Sequence, residues 1–224
     1  MTALANFEIN IKACDQLLAM YSELRRSRGI GSRGAVGQKN QDLIWLPRSA
    51  VVAAISALDS YVHDVIYEQV PIVLTSSTKI PDSLAAAMAA VIPIKKPEDF
   101  QSARNVLASH NTLHELFGEF RRTKLEFASY QAPDKVIAAY SLIGKADIFD
   151  KVSDLWQGPD SSPEDIKNTL AKFVIRRNKI AHEADLEHSG TPRPMQSTYA
   201  AGCKAFVENL VIRLDKIVYP DSPS

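Results

Sequence analysis

Apolar residues recur at three- and four-residue intervals along almost the whole of this chain. Nowhere do they alternate for long enough to build a strand. Leu4, Phe7, Ile11, Cys14, Leu18 and Tyr21 set the pattern over residues 3–27. That spacing lines one stripe of side chains along one face of an α-helix. It returns in "RSAVVAAISALDSYVHDVIYEQV", residues 48–70, and Pro71 is expected to end that helix because it has no N–H to donate. A short Ala-rich helix is expected from Pro81 or Asp82 to a point before Pro93. One long helix or two stacked ones are expected over 98–130, and one or two shorter ones within 134–157. "GPDSSPED" signals a helix start, with Ser161 or Ser162 as cap, Pro163 in the first turn, and Glu164 and Asp165 behind it. A last helix runs from Met195 to Tyr219. The candidate strand, "PIVLTSSTKIP", sits between prolines. The expected fold class is all-α: a single domain over residues 1–224, a helical bundle with short helices packed on its side.

The charge balance limits what such a bundle can bind. Lys plus Arg number 26 and Asp plus Glu number 26, so there is no global positive field to hold nucleic acid. An RNA or DNA partner has to be met by a local patch. The two cysteines, Cys14 and Cys203, lack zinc-like spacing and are too few for a disulfide framework. "MTALANFEINIKACDQ" carries charges where a signal peptide needs an apolar stretch. The apolar run "LAAAMAAVIPI", residues 84–94, is too short to span a bilayer. These features point to a soluble, cytoplasmic protein without a membrane partner.

Between the first two helices lies "RGIGSRGAVGQKN", a basic, glycine-rich loop over residues 28–40. It lacks the Gly-Lys-Ser/Thr ending of a P-loop, which excludes that kind of nucleotide cradle. Most such segments are solvated connectors. The alternative is a mobile loop touching phosphates through Arg25, Arg26, Arg28, Arg33 and Lys39.

Two polar intrusions break the apolar faces. The first is "RRNKIAHEAD", Arg176 to Asp185, at the end of the helix that begins at Pro163. At about 100° per residue, with Arg177 at zero, Leu170 falls near 20°, Val174 near 60° and Phe173 near −40°. Ala181 and Asp185 continue that sector, and Asn178 and His182 stand on its shoulder. The motif helix, read as about 163–187, buries its start and lines something polar with its end. The second intrusion is Asp59, within the stripe of Val52, Ile55, Val62 and Ile66. A carboxylate there needs a cation or donors, and Arg177 or Arg176 is the natural partner. Any Arg-x4-His on a helix is most often an ion-pairing surface feature, so the spacing alone is a weak sign.

The full string says more than the spacing. "IRRNKIAHEAD", late in a helical chain and followed by one last helix, resembles the HEPN superfamily signature: an Arg, a polar residue such as Asn, then a His. Here these are Arg177, Asn178 and His182. "AISALDSYVHDVI" is similar to the earlier helix of that family, with its acidic residue at Asp59. The pair of segments looks most like the RiboL-PSP group of prokaryotic HEPN proteins. The resemblance implies a metal-independent endoribonuclease with no cofactor, acting on RNA as a homodimer whose motif helices share a cleft. Many such proteins serve in toxin–antitoxin or phage-defence systems, so a cognate antitoxin or regulatory protein is an expected partner. Arg177 and His182, with Asn178, are the expected catalytic residues. Asp59 and Asp185 are expected to hold Arg177, with Arg176 in support. The alternatives are a catalytically silent HEPN-like module that binds protein or nucleic acid, and a structural helical subunit.

Other constellations are weaker. His110 and His114 stand four apart with no third ligand in sight, so no metal is expected. Trp45 and Trp156 suit core or interface anchors better than base-stacking platforms.

Overall fold

The structure is a computed structural model that describes residues 2–31, 36–76, 79–91, 113–159 and 161–220. Eight α-helices occur among them: α1 (Ala3–Ser27), α2 (Trp45–Ser76), α3 (Asp82–Ala89), α4 (Leu113–Phe120), α5 (Pro133–Ser141), α6 (Ile148–Leu155), α7 (Pro163–Glu183) and α8 (Ser197–Val218). A 3-10 segment, Gln38–Ile44, leads into α2, so the basic loop is helical by Gln38. A π-helical turn, Arg121–Leu125, continues α4. The described residues contain no strand, only an isolated bridge between Leu186 and Pro192. The fold class is all-α, as the periodicity predicts. The expected helix over 98–130 lies partly outside the described residues.

α1 forms where the stripe predicts. Thr2 caps it through an Oγ1 that accepts from the Ala5 N–H at 3.2 Å. Phe7, Ile11, Cys14 and Tyr21 are buried. α2 departs from expectation, because it continues through Pro71 to Ser76. Pro71 removes one backbone bond, but Leu74 is buried one turn later and the Thr75 hydroxyl donates back to the Pro71 carbonyl at 2.9 Å. Burying a leucine is worth about 1.5–3 kcal/mol, more than one lost hydrogen bond. Much of the candidate strand is therefore helix. The stretch Gln38–Thr75 is long and apolar enough to cross a membrane by length and composition, but 56% of its most apolar window is buried inside the fold. That is how a core helix satisfies the same composition.

The chain forms two compact units. The first comprises Met1–Tyr61, Gln131–Pro133 and Phe149–Ser224; the second comprises Val62–Tyr130 and Asp134–Ile148. In the first, α1 packs on α8. Its buried residues include Phe7, Ile55, Leu58, Ile166, Leu170, Val207, Leu210 and Leu214. The Phe7 and Tyr61 rings meet edge to face at 6.0 Å, and the Tyr61 hydroxyl donates to Asp215 at 3.2 Å. Cys14 and Cys203 are buried as free thiols. Burial pushes both up to about 12. In the second unit, Val65, Ile66, Leu84, Phe117, Phe120, Tyr140 and Ile148 are buried. His63 stacks on Tyr130 at 4.7 Å, and its Nε2 lies 3.0 Å from the Ala128 carbonyl.

Candidate functional site

α7 begins as an ordinary amphipathic helix. The Ser162 Oγ accepts from the Asp165 N–H at 3.1 Å, Pro163 fills the first turn, and Glu164 and Asp165 favour the positive end of the helix dipole. Ile166, Leu170 and Val174 are buried. From Arg176 onward the helix changes character. Arg176 and Arg177 are half-buried, while Asn178, Ala181 and His182 are exposed. The Arg177 Nη1 donates to the Asn178 Oδ1 at 3.1 Å, and its Nε is buried without a hydrogen-bond partner. His182 lies five residues on, about 7.5 Å along the axis and roughly 140° around it. Arg177, Asn178 and His182 thus share one end of one helix.

The expected carboxylate partners of Arg177 are arranged differently. Asp59 accepts from the Gln131 Nε2 at 2.9 Å, and neither Arg176 nor Arg177 reaches it. Asp59 is only half-buried, so it keeps part of its hydration. Asp185 also departs from expectation, because α7 ends at Glu183 rather than near 187. Ala184 and Asp185 both adopt left-handed backbone, with φ of 50° and 54°. Their N–H groups both close on the Lys179 carbonyl. Neither is glycine; the left-handed region costs a residue such as Ala184 about 1–2 kcal/mol and an aspartate less. This turn carries Asp185 off the helix face that a continued helix would give it.

Asp185 is instead held by two other arginines. It is fully buried, and its Oδ2 accepts from the Arg48 Nε at 2.8 Å and the Arg176 Nη2 at 2.7 Å. Arg48 is itself 1% exposed, and its guanidinium lies 4.8 Å from the Trp45 ring centre. The same two arginines bind the far end of the following loop. The Arg48 Nη2 donates to the Arg193 carbonyl at 2.8 Å, and the Arg176 Nη2 to the Pro194 carbonyl at 2.8 Å. The Arg193 N–H returns to the Asp185 carbonyl at 2.9 Å. Residues 185–194 thus form a closed loop fastened to α7 and to the start of α2. Tyr199 stands beside it, edge-on to Phe173 at 5.4 Å, and burial pushes its phenol above the usual value.

Arg48 and Gln131 were not foreseen. Arg48 was within reach, since it stands four, seven and eleven residues before Val52, Ile55 and Asp59, on the same helical stripe. Gln131 carries no such signal. The glycine-rich loop's cations are largely engaged internally. Arg25 is buried, donating to the Gly31 carbonyl through Nε at 2.8 Å and to the Tyr21 hydroxyl at 2.8 Å. The Arg28 fork pairs with Asp42 at 2.9 and 2.7 Å, and that hydrogen bonding holds the carboxyl below its usual range. Arg26 and Lys39 are exposed, and Arg33 lies outside the described residues. So does His110, and so does the side chain of His114. Among the described residues, no three His, Cys, Asp or Glu side chains gather as a metal ion requires.

An all-helical chain with Arg, Asn and His at the exposed end of its penultimate helix fits the HEPN class. A family profile described as RiboL-PSP-HEPN matches residues 9–218, all but the first eight and last six residues. The chain belongs to the RiboL-PSP-HEPN family. Neither the curated proteins nor the solved structures contain a significant match to it.

Proposed function

We propose that this chain is a metal-independent endoribonuclease, with Arg177, Asn178 and His182 at its catalytic centre. The observation that carries this reading is the division of labour between adjacent arginines. Arg176 is tied to a buried carboxylate, whereas Arg177 meets only the Asn178 amide beside the exposed His182. A guanidinium without a counter-ion, on the same helix end as an imidazole, suits the cleavage of RNA by its own 2′-hydroxyl. Imidazole is the side chain that most readily exchanges a proton near neutral pH. One His182 takes the proton from the 2′-OH as the O2′–P bond forms. An acid returns a proton to O5′ as the P–O5′ bond breaks. The Arg177 fork stabilises the charge growing on the non-bridging oxygens. The products are a 2′,3′-cyclic phosphate and a 5′-hydroxyl, with no metal or cofactor in the step.

A two-fold homodimer supplies two copies of His182, one for each proton transfer. Ile175 supports this arrangement. It is 56% exposed and projects within about 60° of Asn178 and His182, so the side of the helix bearing those two residues also carries apolar surface. The two free cysteines suit a cytoplasmic setting, and the family resemblance adds a toxin or phage-defence role and a cognate antitoxin or regulator that restrains the activity. The second reading is a silent module that binds protein or nucleic acid. It is favoured by the zero net charge and by the internal engagement of Arg25, Arg28, Arg176 and Arg193.

The test is cleavage of total cellular RNA in EDTA by wild type and H182A, with product ends mapped. Cutting by wild type alone, leaving cyclic phosphates, is expected. A folded wild-type protein that cuts nothing moves the weight to the binding module.

A further inference from the structure

We infer that Arg48, Asp185 and Arg176 form a buried clamp that positions the catalytic end of α7, with Arg48 as a positioning residue supplied by α2. The inference rests on the ribonuclease reading for its catalytic consequence and on geometry for everything else. A helix that only needs to stop uses glycine in the left-handed position, because glycine enters that region without strain. This chain stops α7 with two consecutive non-glycine left-handed residues, Ala184 and Asp185. Strain of this kind persists only where surrounding structure over-determines it. The surroundings here are two arginines on one carboxylate oxygen, with Arg48 and Asp185 both almost wholly buried. The side chain of Asp185, not its backbone freedom, is what the position requires.

The clamp lies three residues beyond His182 and reaches back to the residue beside Arg177. Arg176 carries one end of it, so the two neighbouring arginines are held apart in role: the clamp orients the first, and the second projects from the adjacent position. Arg48 also grips the Arg193 carbonyl, and Arg176 the Pro194 carbonyl, so the loop leaving the motif helix closes on the same point. The last turn of α7 is thereby fixed from two directions. An exposed histidine on a helix terminus otherwise frays with the terminus. The Asp185 Oδ1 is buried without a partner. Both guanidinium groups meet the carboxylate at its other oxygen, Oδ2.

The test uses the full-length chain with D185N, D185G and R48M, read by NMR of ring-labelled histidine, with the His182 signal assigned by its loss in H182A. RNA cleavage is measured in parallel. Asn tolerates the left-handed backbone and glycine relieves it, so both variants keep the turn if ending the helix is its only role. The clamp predicts otherwise. In D185N and D185G the His182 resonance shifts and broadens, kcat falls at least tenfold, and KM changes less than threefold. R48M shows the same signature, and combining it with D185N adds little further loss. A folded D185G with wild-type His182 signals and wild-type kcat overturns the inference. D185N decides in the same way if D185G does not fold. If wild type cuts no RNA but His182 still shifts in D185N, the clamp stands and the ribonuclease reading falls.

Discussion

Two of the carboxylates set in apolar surface in the first unit, Asp59 and Asp185, are treated differently by the chain. Asp59, on α2, is half-buried and takes a hydrogen bond from the Gln131 amide. Asp185, past the end of α7, is fully buried and takes two arginines. The difference follows from desolvation. A carboxylate that keeps part of its hydration makes smaller demands on its partners, whereas one stripped of water needs cations and close geometry. A position in an apolar stripe therefore does not say which carboxylate is stripped of water. Burial at the observed helix end does.

The largest effect that tests this contrast is on Arg48. Breaking a buried ion pair from one side leaves an uncompensated charge and typically costs about 3–5 kcal/mol. R48M is therefore expected to lower the unfolding free energy by that order in urea titration, with Arg176 alone left to hold Asp185. A loss under about 1 kcal/mol would place Asp185 in a wetter setting than its complete burial implies and would erase the distinction from Asp59.

Next comes the pair of adjacent arginines. R177A is expected to reduce cleavage about 10²–10³-fold, the usual consequence of removing a group that stabilises transition-state charge, with little change in the urea midpoint. R176A should invert this pattern, losing stability first. Equal effects of both on stability and rate would mean that the clamp and the catalytic centre are not separable.

The legible parts of the molecule were those where a helix behaves ideally. The stripe Phe7, Ile11, Cys14, Tyr21 predicts α1, and Ser162–Pro163 with its two acids predicts the start of α7. Both hold, because each depends on contacts within a few residues. Arg177, Asn178 and His182 were legible as a signature, and the structure brings them to one exposed helix end. Asp185 was misread because projection onto a helix assumes that the helix continues. Two left-handed residues end that assumption, and nothing in "HEAD" announces them, since the usual marker would be glycine. Pro71 misled in the other direction: one lost backbone bond was outweighed by the burial of Leu74. Gln131 is 72 residues from Asp59, and no local pattern specifies so distant a partner.

A third effect concerns groups that burial keeps neutral. The Cys14 and Cys203 thiols are pushed from 9.0 up to about 12, mainly by burial. The unfolded chain releases these protons near pH 9 while the folded chain keeps them. Stability is thus fully present below about pH 9 and falls as pH rises from there toward 12. The slope is up to about 1.4 kcal/mol per pH unit for each thiol. Burial also raises the Tyr67 and Tyr199 phenols, which adds in the same direction. Urea midpoints measured between pH 8 and 10.5 should decline, and C14A/C203A should flatten the decline without abolishing it. Thiols held this far above neutrality should also resist alkylation in the native state.

The smallest effect returns to Asp59. D59N replaces a half-buried carboxylate by an amide of the same shape, which can still accept from Gln131 through its oxygen. The expected loss is about 1 kcal/mol or less, since a typical hydrogen bond contributes about 0.5–1.5 kcal/mol and this one survives in part. The corresponding change at the other carboxylate, D185N, removes the charge that faces two arginines and is expected to cost several times more. The ratio of the two losses, measured in one buffer by urea titration, isolates desolvation from shape, because the substitution is chemically identical at both sites. A ratio near one would mean that the two arginines contribute no more to Asp185 than the half-buried surroundings of Asp59 contribute there. The buried clamp at the end of α7 would then be no stronger than an ordinary polar contact.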